Sequence, residues 1–262
     1  MKVAKLGAGN NMNQRQKEIL TLVQHSGFVS IETLANSFDV TPQTIRRDIN
    51  SLCNQNLLTR YHGGAGLSSS VENVEYATRQ IMFLQEKQRI AELVANHIPD
   101  RASIFINIGT TTEEVAKALQ NHIGLRIITN NLNVASILRS NTSFEIIIAG
   151  GEVRQRDGGS TGEATIDFIR QFKVDFGIIG ISSVDNDGTL LDFDYQEVRV
   201  SQAIIHNARK VFLAADSSKF GRSAMTRLGS LEQIDCLFTD SAPSEVFAEL
   251  LARHKVQLEI AE

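Results

Sequence analysis

The pattern of apolar and polar positions predicts three short helices near the start of the chain. Apolar residues recur at helical spacing over 13–25, 31–38 and 42–54. The third helix has a clear start signal at Thr41-Pro42, because a threonine hydroxyl caps a helix and proline fits its first position. The run 57–62 then predicts a strand that leads into a glycine turn. Three helices followed by such a wing are typical of a winged helix-turn-helix.

From residue 85 onward, short apolar runs alternate with helical patterns. A helix is predicted over 85–97. Six continuous apolar runs have the length of strands buried on both faces, namely 103–108, 125–129, 144–149, 174–181, 210–215 and 235–239. Helical patterns lie between most of them, at 113–121, 132–139, 161–172, 195–208 and 244–253. This alternation predicts an α/β domain with a mostly parallel sheet.

The same patterns divide the chain into four parts. Residues 1–12 lack periodicity and are expected to be a disordered extension, with Met12 as the natural start of the protein. Residues 13–66 form the predicted winged helix-turn-helix, and 67–84, which include three consecutive serines, are expected to be a linker. The α/β domain occupies 85–262.

Composition narrows the possible classes of protein. The chain has 262 residues, of which 42% are hydrophobic, so a largely disordered chain is excluded. Two cysteines, Cys53 and Cys236, cannot form a disulfide framework or a four-sulfur zinc site. The sequence shows neither an apolar run of about 18 residues nor a signal-peptide pattern, and a cytoplasmic location is expected.

Charge is distributed unevenly along the chain. Residues 1–70 contain seven Lys and Arg against four acids, a net charge of +3, whereas the remainder carries −7. A basic N-terminal part and an acidic remainder are expected when only the N-terminal part binds a polyanion such as DNA.

The exposed face of the third predicted helix carries the groups that bind DNA. Arginine can fork onto guanine or a phosphate, and amide side chains can pair with adenine or with backbone oxygens. Hydroxyls at a helix start can hold a phosphate. The predicted DNA-binding residues are Thr41, Gln43, Thr44, Arg46, Arg47 and Asn50 on the helix and its cap, with Arg60 and His62 on the wing. The two wing residues are expected to contact the DNA backbone or the minor groove. Asp48 is expected to fix an arginine rotamer.

The alternative for Arg46 and Arg47 is an ordinary solvated helix face. An arginine pair alone favours that interpretation. The capped three-helix order, the wing and the local positive charge together favour DNA binding instead.

Glycine, hydroxyl and amide residues follow three of the predicted strands. In open α/β sheets, ligands bind at the carboxyl ends of the strands, and the free amides of a helix start attract anions. A lysine after a later strand adds a mobile positive charge. The sequence therefore predicts a site for a small phosphorylated metabolite that includes Gly109, Thr110, Thr111, Thr112, Asn130, Asn131, Gly151, Arg154 and Lys219.

Each of these features also has a purely structural interpretation. The run 109–112 can be an ordinary strand-to-helix turn, and Asn130 with Asn131 can satisfy loop backbone. Lys219 can be a surface lysine. Glu113 and Glu114 suit a helix N-terminus, yet they would repel a phosphate if they pointed inward.

The residues Arg15, Ile19 and Val23, followed by the run 41–49 (TPQTIRRDI), resemble the helix-turn-helix signature of DeoR-type bacterial transcriptional regulators. The resemblance extends over about residues 13–260. Some later segments resemble a subgroup of that family that controls glycerol catabolism, namely 129–135, 150–152, 157–159 and 193–195.

The resemblance implies a C-terminal domain similar in fold to ribose-5-phosphate isomerase that serves as an effector sensor. It implies that 109–112, Asn130, Asn131, Gly151 and Lys219 hold the effector, with glycerol 3-phosphate as that effector. Asp192 and Glu197 fall where the related enzymes place acid–base groups, and they would bind effector hydroxyls. For Glu197 the alternative is an ordinary position on a helix surface.

The partners expected are operator DNA and a second copy of the chain, as a homodimer or homotetramer. No cofactor and no metal are expected. The favoured hypothesis is a repressor released from its operator by a small phosphorylated metabolite, without enzymatic activity.

Two alternatives remain open. The first is a sugar-phosphate isomerase with an appended DNA-binding domain, because Asp192, Asp194 and Glu197 supply candidate bases. The second is a repressor whose C-terminal domain only oligomerises.

Overall fold

The computed structural model describes residues 12–26, 28–55, 57–61, 63–66 and 76–261. The predicted extension before Met12, the predicted DNA-binding residue His62 and residues 67–75 of the predicted linker lie outside the described residues. The chain divides into two compact units, Met1–Ser68 and Ser69–Glu262.

The first unit contains three helices and a small antiparallel sheet. Its elements are α1 (Gln14–Ser26), β1 (Phe28–Ser30), α2 (Ile31–Phe38), α3 (Pro42–Asn54), β2 (Thr59–Tyr61) and β3 (Gly64–Gly66). The strand order is β1-β3-β2. The wing requires glycine at Gly64, because a Cβ there would collide with the Phe28 ring and the main-chain oxygen of Val29.

The helix boundaries of this unit follow from its capping residues. The Ser30 hydroxyl accepts a hydrogen bond from the amide of Thr33 and begins α2. Thr41 caps α3 in the same way, through the amide of Thr44, and Pro42 occupies the first turn. The helices then bury one apolar stripe each against a shared core that includes Ile19, Val23, Leu34, Ile45, Ile49 and Leu52.

The second unit is built around a parallel sheet. Its elements are α4 (Tyr76–Ile81), α5 (Leu84–Asn96), β4 (Ser103–Ile106), α6 (Thr110–Ala118), β5 (Arg126–Thr129), α7 (Leu132–Leu138), β6 (Glu145–Ile148), β7 (Glu152–Val153), β8 (Ser160–Thr161), α8 (Glu163–Ile169), β9 (Val174–Gly180), β10 (Ser183–Val184), β11 (Thr189–Asp192), α9 (Tyr195–Asn207), β12 (Ala208–Ala214), β13 (Thr226–Ser230), β14 (Cys236–Thr239), α10 (Glu245–His254) and β15 (Gln257–Ile260).

Seven parallel strands form the main sheet in the order β15-β14-β12-β9-β4-β5-β6. The chain builds outward from β4 in one direction and from β9 in the other, so the strand order reverses between these two strands. Such a reversal opens a crevice at the carboxyl ends of the strands. Adjacent residues such as Ile104 and Phe105 belong to hydrophobic clusters on opposite faces of the sheet.

The predicted combination of an N-terminal helix-turn-helix and a C-terminal α/β domain with a parallel sheet is confirmed. The sequence patterns did not predict several short elements. They are the edge strand β15, the hairpin β7–β8, the three-stranded sheet β10-β11-β13 and the helix α4, which falls within the segment 67–84. In the described parts of the chain, no helix has the length and apolar character needed to cross a bilayer.

Candidate functional site

The polar face of α3 is the candidate DNA-binding surface. Gln43, Arg46, Arg47 and Asn50 are exposed along it, while the opposite stripe of the helix is buried in the core of the first unit. An amphipathic helix of this kind presents cations and amides outward on a rigid support. Its dimensions suit the major groove of DNA.

The wing is tied to this face by a side-chain contact. Arg60, on β2, donates from Nη1 to Oδ1 of Asn50 at 3.1 Å. At the other end of the face, the hydroxyls of Thr41 and Thr44 lie 2.9 Å apart. The described DNA-binding residues predicted from the sequence thus lie on α3, its cap and the adjoining strand.

Asp48 is buried on the inner side of α3 and holds α1 in place. Its carboxylate accepts hydrogen bonds from Nε of Arg15 at 2.6 Å and from Nε2 of Gln16 at 3.0 Å. The arginine that Asp48 fixes is therefore on α1, not on the DNA-binding face.

A cleft in the second unit lies at the carboxyl ends of β12, β9 and β4, where the strand order reverses. It contains about 370 Å³ of empty space, part of it open to solvent. Residues that follow β4 and β9 form much of its wall, together with side chains from α4, β11, α9 and the turn after β12. The lining residues are Arg79, Ile108, Gly109, Thr110, Thr111, Gly180, Ile181, Ser182, Asp192, Glu197 and Lys219.

The cleft brings together residues that lie far apart in the sequence. Of the predicted effector residues it includes Gly109, Thr110, Thr111, Asp192, Glu197 and Lys219. Sequence reasoning missed Arg79, Ile108, Gly180, Ile181 and Ser182. Ile108 ends the predicted strand 103–108, Gly180 and Ile181 end the predicted strand 174–181, and Ser182 follows the latter. Their position at the carboxyl ends of strands was the available signal, whereas no signal in the sequence indicated Arg79.

Five predicted residues are not among those that line the cleft, and the contacts of the first three explain why. Thr112 Oγ1 lies 2.9 Å from the main-chain oxygens of both Asn107 and Gly109, so it closes the turn into α6. Asn130 donates from Nδ2 to the oxygen of Ser160 at 2.9 Å. Asn131 caps α7 by accepting from the amide of Asn133 at 2.9 Å.

Gly151 and Arg154 also serve the structure around the cleft. A Cβ at Gly151 would collide with Thr165 and with the main-chain oxygen of Thr161, so this position requires close backbone approach. Arg154 donates to three carboxylates, those of Asp157 at 2.7 Å, Asp194 at 2.8 Å and Glu197 at 2.9 Å. Arg154 therefore holds Glu197, a residue that does line the cleft.

Two carboxyl groups share the cleft. Asp192 is buried, and its Oδ1 accepts hydrogen bonds from the hydroxyl of Ser182 at 2.9 Å and from the amide of Phe193 at 2.7 Å. Burial raises the pKa of Asp192. Burial and the nearby charge of Asp192 raise the pKa of Glu197 to about 7, although Arg154 opposes this shift.

Two largely buried lysines, Lys219 and Lys87, also belong to this part of the second unit. Lys219 lines the cleft with its side chain 15% exposed, so it is not an ordinary surface lysine, and its Nζ lies 3.9 Å from Oδ2 of the buried Asp216. Burial lowers the pKa of Lys219, while Asp216 opposes the shift. Behind the cleft, burial and the charge of Lys219 lower the pKa of Lys87 to about 7.

The two glutamates that follow the cleft-lining threonines are engaged elsewhere. Glu113 accepts hydrogen bonds from Tyr76, Asn131 and Asn133. Glu114 pairs with Lys117 at 2.6 Å. Neither is among the residues that line the cleft, so this wall of the cleft consists of small polar groups that suit an anion. In the described part of the chain, no group of three or more His, Cys, Asp or Glu side chains is arranged to hold a metal ion.

Comparison with protein-family models assigns both units. The family described as DeoR-like helix-turn-helix domain matches residues 15–71, and the family described as DeoR C terminal sensor domain matches residues 83–241.

Full-length relatives are similar along most of the chain. The glycerol-3-phosphate regulon repressor of Escherichia coli (strain K12) is 53% identical over 247 residues, which cover 94% of this chain and 98% of the relative. The repressor of the same name from Haemophilus influenzae is 52% identical over 244 residues, 93% of this chain and 95% of the relative. The HTH-type transcriptional repressor CsqR of Escherichia coli is 41% identical, over 94% of both chains.

Solved structures show a partial likeness. Ribose 5-phosphate isomerase A from Methanocaldococcus jannaschii has a TM-score of 0.40 and 14% identity, and the match covers 53% of this chain and 55% of that chain. The beta subunit of eIF2B from Chaetomium thermophilum has a TM-score of 0.47 and 13% identity, over 92% of this chain and 69% of that chain.

Proposed function

Since the chain belongs to the DeoR family of transcriptional regulators, we propose that it is a repressor of the glycerol-3-phosphate regulon and that glycerol 3-phosphate releases it from its operator. The DNA-binding domain occupies 13–66 and the sensing domain 85–262, joined through 67–84. The protein acts in the cytoplasm, as a homodimer or homotetramer, and catalyses no reaction.

The polar face of α3 supplies the contacts to DNA. Arg46 and Arg47 bind guanine edges or phosphates, and Gln43 with Asn50 pairs with adenine or backbone oxygens. The hydroxyls of Thr41 and Thr44 lie at the helix N-terminus, where a phosphate is favoured. Arg60 contacts the DNA backbone or the minor groove from β2, and His62 is assigned the same role. One such domain occupies each half-site, with half-sites about one helical turn apart or a multiple of it.

The observation that carries the effector proposal is the composition of the cleft. The start of α6, with Gly109, Thr110 and Thr111, offers amides and hydroxyls to a small anion, and Lys219 offers a positive charge. Asp192 and Glu197 accept hydrogen bonds from hydroxyl groups. Glycerol 3-phosphate combines one phosphate with adjacent hydroxyls. Its phosphate suits the start of α6 and Lys219, and its hydroxyls suit the two carboxyl groups.

The remaining predicted residues shape this site. Thr112, Asn130, Asn131 and Gly151 hold the loops that follow β4, β5 and β6, and Arg154 orients Glu197. Effector binding then favours the arrangement of the protein that grips DNA poorly. A ligand shifts such an equilibrium only by its differential affinity for the two arrangements.

A second candidate function rests on the carboxyl pair. A carboxyl group with a pKa of about 7 in a cleft is a suitable base for proton abstraction, and Glu197 has that property. Isomerisation of a sugar phosphate by this pair is therefore the competing proposal. It leaves the exposed arginines of α3 without a role, whereas the repressor proposal uses both units.

Calorimetric titration of the full-length protein against three- to six-carbon phosphate esters, combined with an assay for turnover of each ester, separates the proposals. We expect glycerol 3-phosphate to bind without turnover. Turnover of an ester would establish the isomerase. Absence of binding across the whole panel would contradict the sensor and favour a domain that only oligomerises.

A further inference from the structure

The helix α4 is the first described element of the second unit in chain order, so the covalent path from the DNA-binding unit enters the sensing unit there. We infer that Arg79 of α4 binds the effector's phosphate and that α4, anchored by Tyr76 and Lys87, passes the effector signal to the DNA-binding unit. This inference rests on the proposed effector site and adds a ligand and a transmission element to it.

Arg79 belongs to the cleft by position and by charge. It lines the cleft together with Lys219 and the start of α6. The positive charge of its guanidinium also lowers the pKa of Asp192, Glu197 and Lys219, so it lies close to these three groups. A planar guanidinium with several donors is the side chain best suited to a phosphate, so an anion in this cleft meets Arg79 directly.

The N-terminal end of α4 is anchored to the helix that forms the cleft wall. Tyr76 donates from its hydroxyl to Oε2 of Glu113 at 2.6 Å, and Asn133 donates from Nδ2 to the same hydroxyl at 2.9 Å. Glu113 lies in the first turn of α6, directly after the residues Thr110 and Thr111 that line the cleft. A displacement of that turn by a bound anion therefore acts on Tyr76 through one hydrogen bond.

The second anchor of α4 is Lys87. Lys87 is only 2% exposed, and its Nζ donates a hydrogen bond to the main-chain oxygen of Arg79. The charge of Lys219 lowers the pKa of Lys87, and the charge of Asp216 raises it. Lys87 thus holds the backbone of Arg79, while the side chain of Arg79 lines the proposed effector site.

These contacts make the position of α4 depend on the cleft. An anion that binds the guanidinium of Arg79 exerts a new force on the helix, while Lys87 continues to hold the backbone of the same residue. The free energy of effector binding can then stabilise a different position of α4, and with it a different position of the segment that leads to the DNA-binding unit. Coupling of this kind is separable from affinity: a variant can bind the effector normally and fail to respond to it.

Tyr76→Phe tests the coupling, because Tyr76 does not line the cleft. We measure calorimetric affinity for glycerol 3-phosphate, and operator affinity by fluorescence anisotropy with and without that ester. The operator is a fragment selected by the wild-type chain from random DNA. The variant should bind the ester within about twofold of wild type, while the release of DNA by saturating ester falls at least tenfold. Tyr195→Phe, at an exposed tyrosine of α9, is the matched control and should behave as wild type.

Arg79→Gln tests the ligand role. The affinity for glycerol 3-phosphate should fall about tenfold or more. Arg139→Gln, at an exposed arginine beyond α7, is the control. Hydrogen exchange gives a second readout: the amides of 77–87 should change their protection when the ester binds wild type and should not change in Arg79→Gln.

The outcomes separate this inference from the proposed function. If wild type binds no phosphate ester, the proposed function fails and the inference fails with it. If wild type binds the ester and releases DNA, but Tyr76→Phe responds equally, the coupling through α4 is wrong. Loss of both ester binding and response in Tyr76→Phe would also overturn it, because Tyr76 would then belong to the binding site itself. Unchanged ester affinity in Arg79→Gln removes Arg79 from the site.

Discussion

The two units of this chain display their chemistry in opposite ways. In the first unit, Arg46 and Arg47 are exposed on one helix whose other face makes the core. In the second unit, Asp192 is buried and Lys219 is nearly buried. The helix α9 and the strand β12 separate these two residues along the chain. A surface that meets a large polyanion needs exposed charge on a rigid support. A site for a small molecule instead needs polar groups that converge in a recess.

The difference has an energetic consequence. Charges on an exposed face keep their hydration, so they serve binding at little cost to the fold. The cleft takes charges out of water, and burial raises the pKa of Glu197 while it lowers the pKa of Lys219 and Lys87. Substitutions on the exposed face of α3 should therefore alter DNA binding alone, whereas substitutions in the cleft should alter ligand binding, its pH dependence and stability.

The largest effect is expected at the DNA-binding face. Arg46→Ala combined with Arg47→Ala should weaken operator binding by about 100-fold or more, since each base or phosphate contact contributes about 1–3 kcal/mol. Affinity for glycerol 3-phosphate should not change. Anisotropy and calorimetry on the same preparation measure the two affinities. Loss of both would mean that the variant is misfolded, and retention of operator binding would remove α3 from the interface.

The next effect is expected in the cleft. Lys219→Met keeps the apolar stem but removes the charge, and it should weaken glycerol 3-phosphate binding about 10- to 100-fold, because a hydrogen bond to a charged group contributes about 1.5–3 kcal/mol. Operator affinity without the ester should be unchanged. Lys210→Met, at an exposed lysine of β12, is the matched control. Reduced operator affinity with a normal effector response would contradict the assignment of Lys219.

These first two predictions concern residues that the sequence identified, and the reasons differ. The DNA-binding face could be predicted because its residues lie within one helix, where spacing alone decides which side chains share a face. Thr110 and Lys219 could be predicted only as strand-end residues of a parallel sheet. Arg79 could not be predicted, since α4 is a short helix in a segment without periodicity and its place against α6 depends on tertiary packing.

The same limit applies to three predicted ligand residues that make structural contacts around the cleft. Asn130, Asn131 and Thr112 are polar groups at strand ends, as a ligand site requires. In the structure they hydrogen-bond to loop and helix backbone, and Asn131 also donates to the side chain of Glu113. Sequence cannot distinguish these two uses of a polar group, because both place it at the same position of the fold. Arg154 likewise required the structure, which shows that three carboxylates engage it.

Stability of the second unit should depend on pH through Lys87. Its pKa is about 7 in the folded protein against an ordinary value of 10.5, so the unfolded chain binds the extra proton between these values. The free energy of unfolding should therefore rise with pH from 7 to 10, by up to about 1.4 kcal/mol per pH unit from this group. Lys87→Met should lose that rise. Urea unfolding at pH 7, 8.5 and 10 measures it, and identical slopes in both proteins would refute it.

The smallest effect expected is the pH dependence of effector binding. Glu197, with a pKa of about 7, becomes negative as the pH rises and then repels the phosphate, while Lys87 loses its positive charge over the same range. Affinity for glycerol 3-phosphate should fall severalfold between pH 6.5 and 8.5. Glu197→Gln should show a smaller fall, with the remainder due to Lys87. Calorimetry at three pH values checks this, and an equally steep fall in Glu197→Gln would exclude Glu197 as its source.

Control of the DNA-binding unit by the cleft can be measured as operator binding of the wild-type chain while glycerol 3-phosphate is added. We predict that saturating ester weakens operator affinity at least tenfold, and that glycerol or inorganic phosphate at the same concentration has a much smaller effect. If calorimetry shows the ester bound while operator affinity stays constant, the cleft is not the switch that controls the DNA-binding unit.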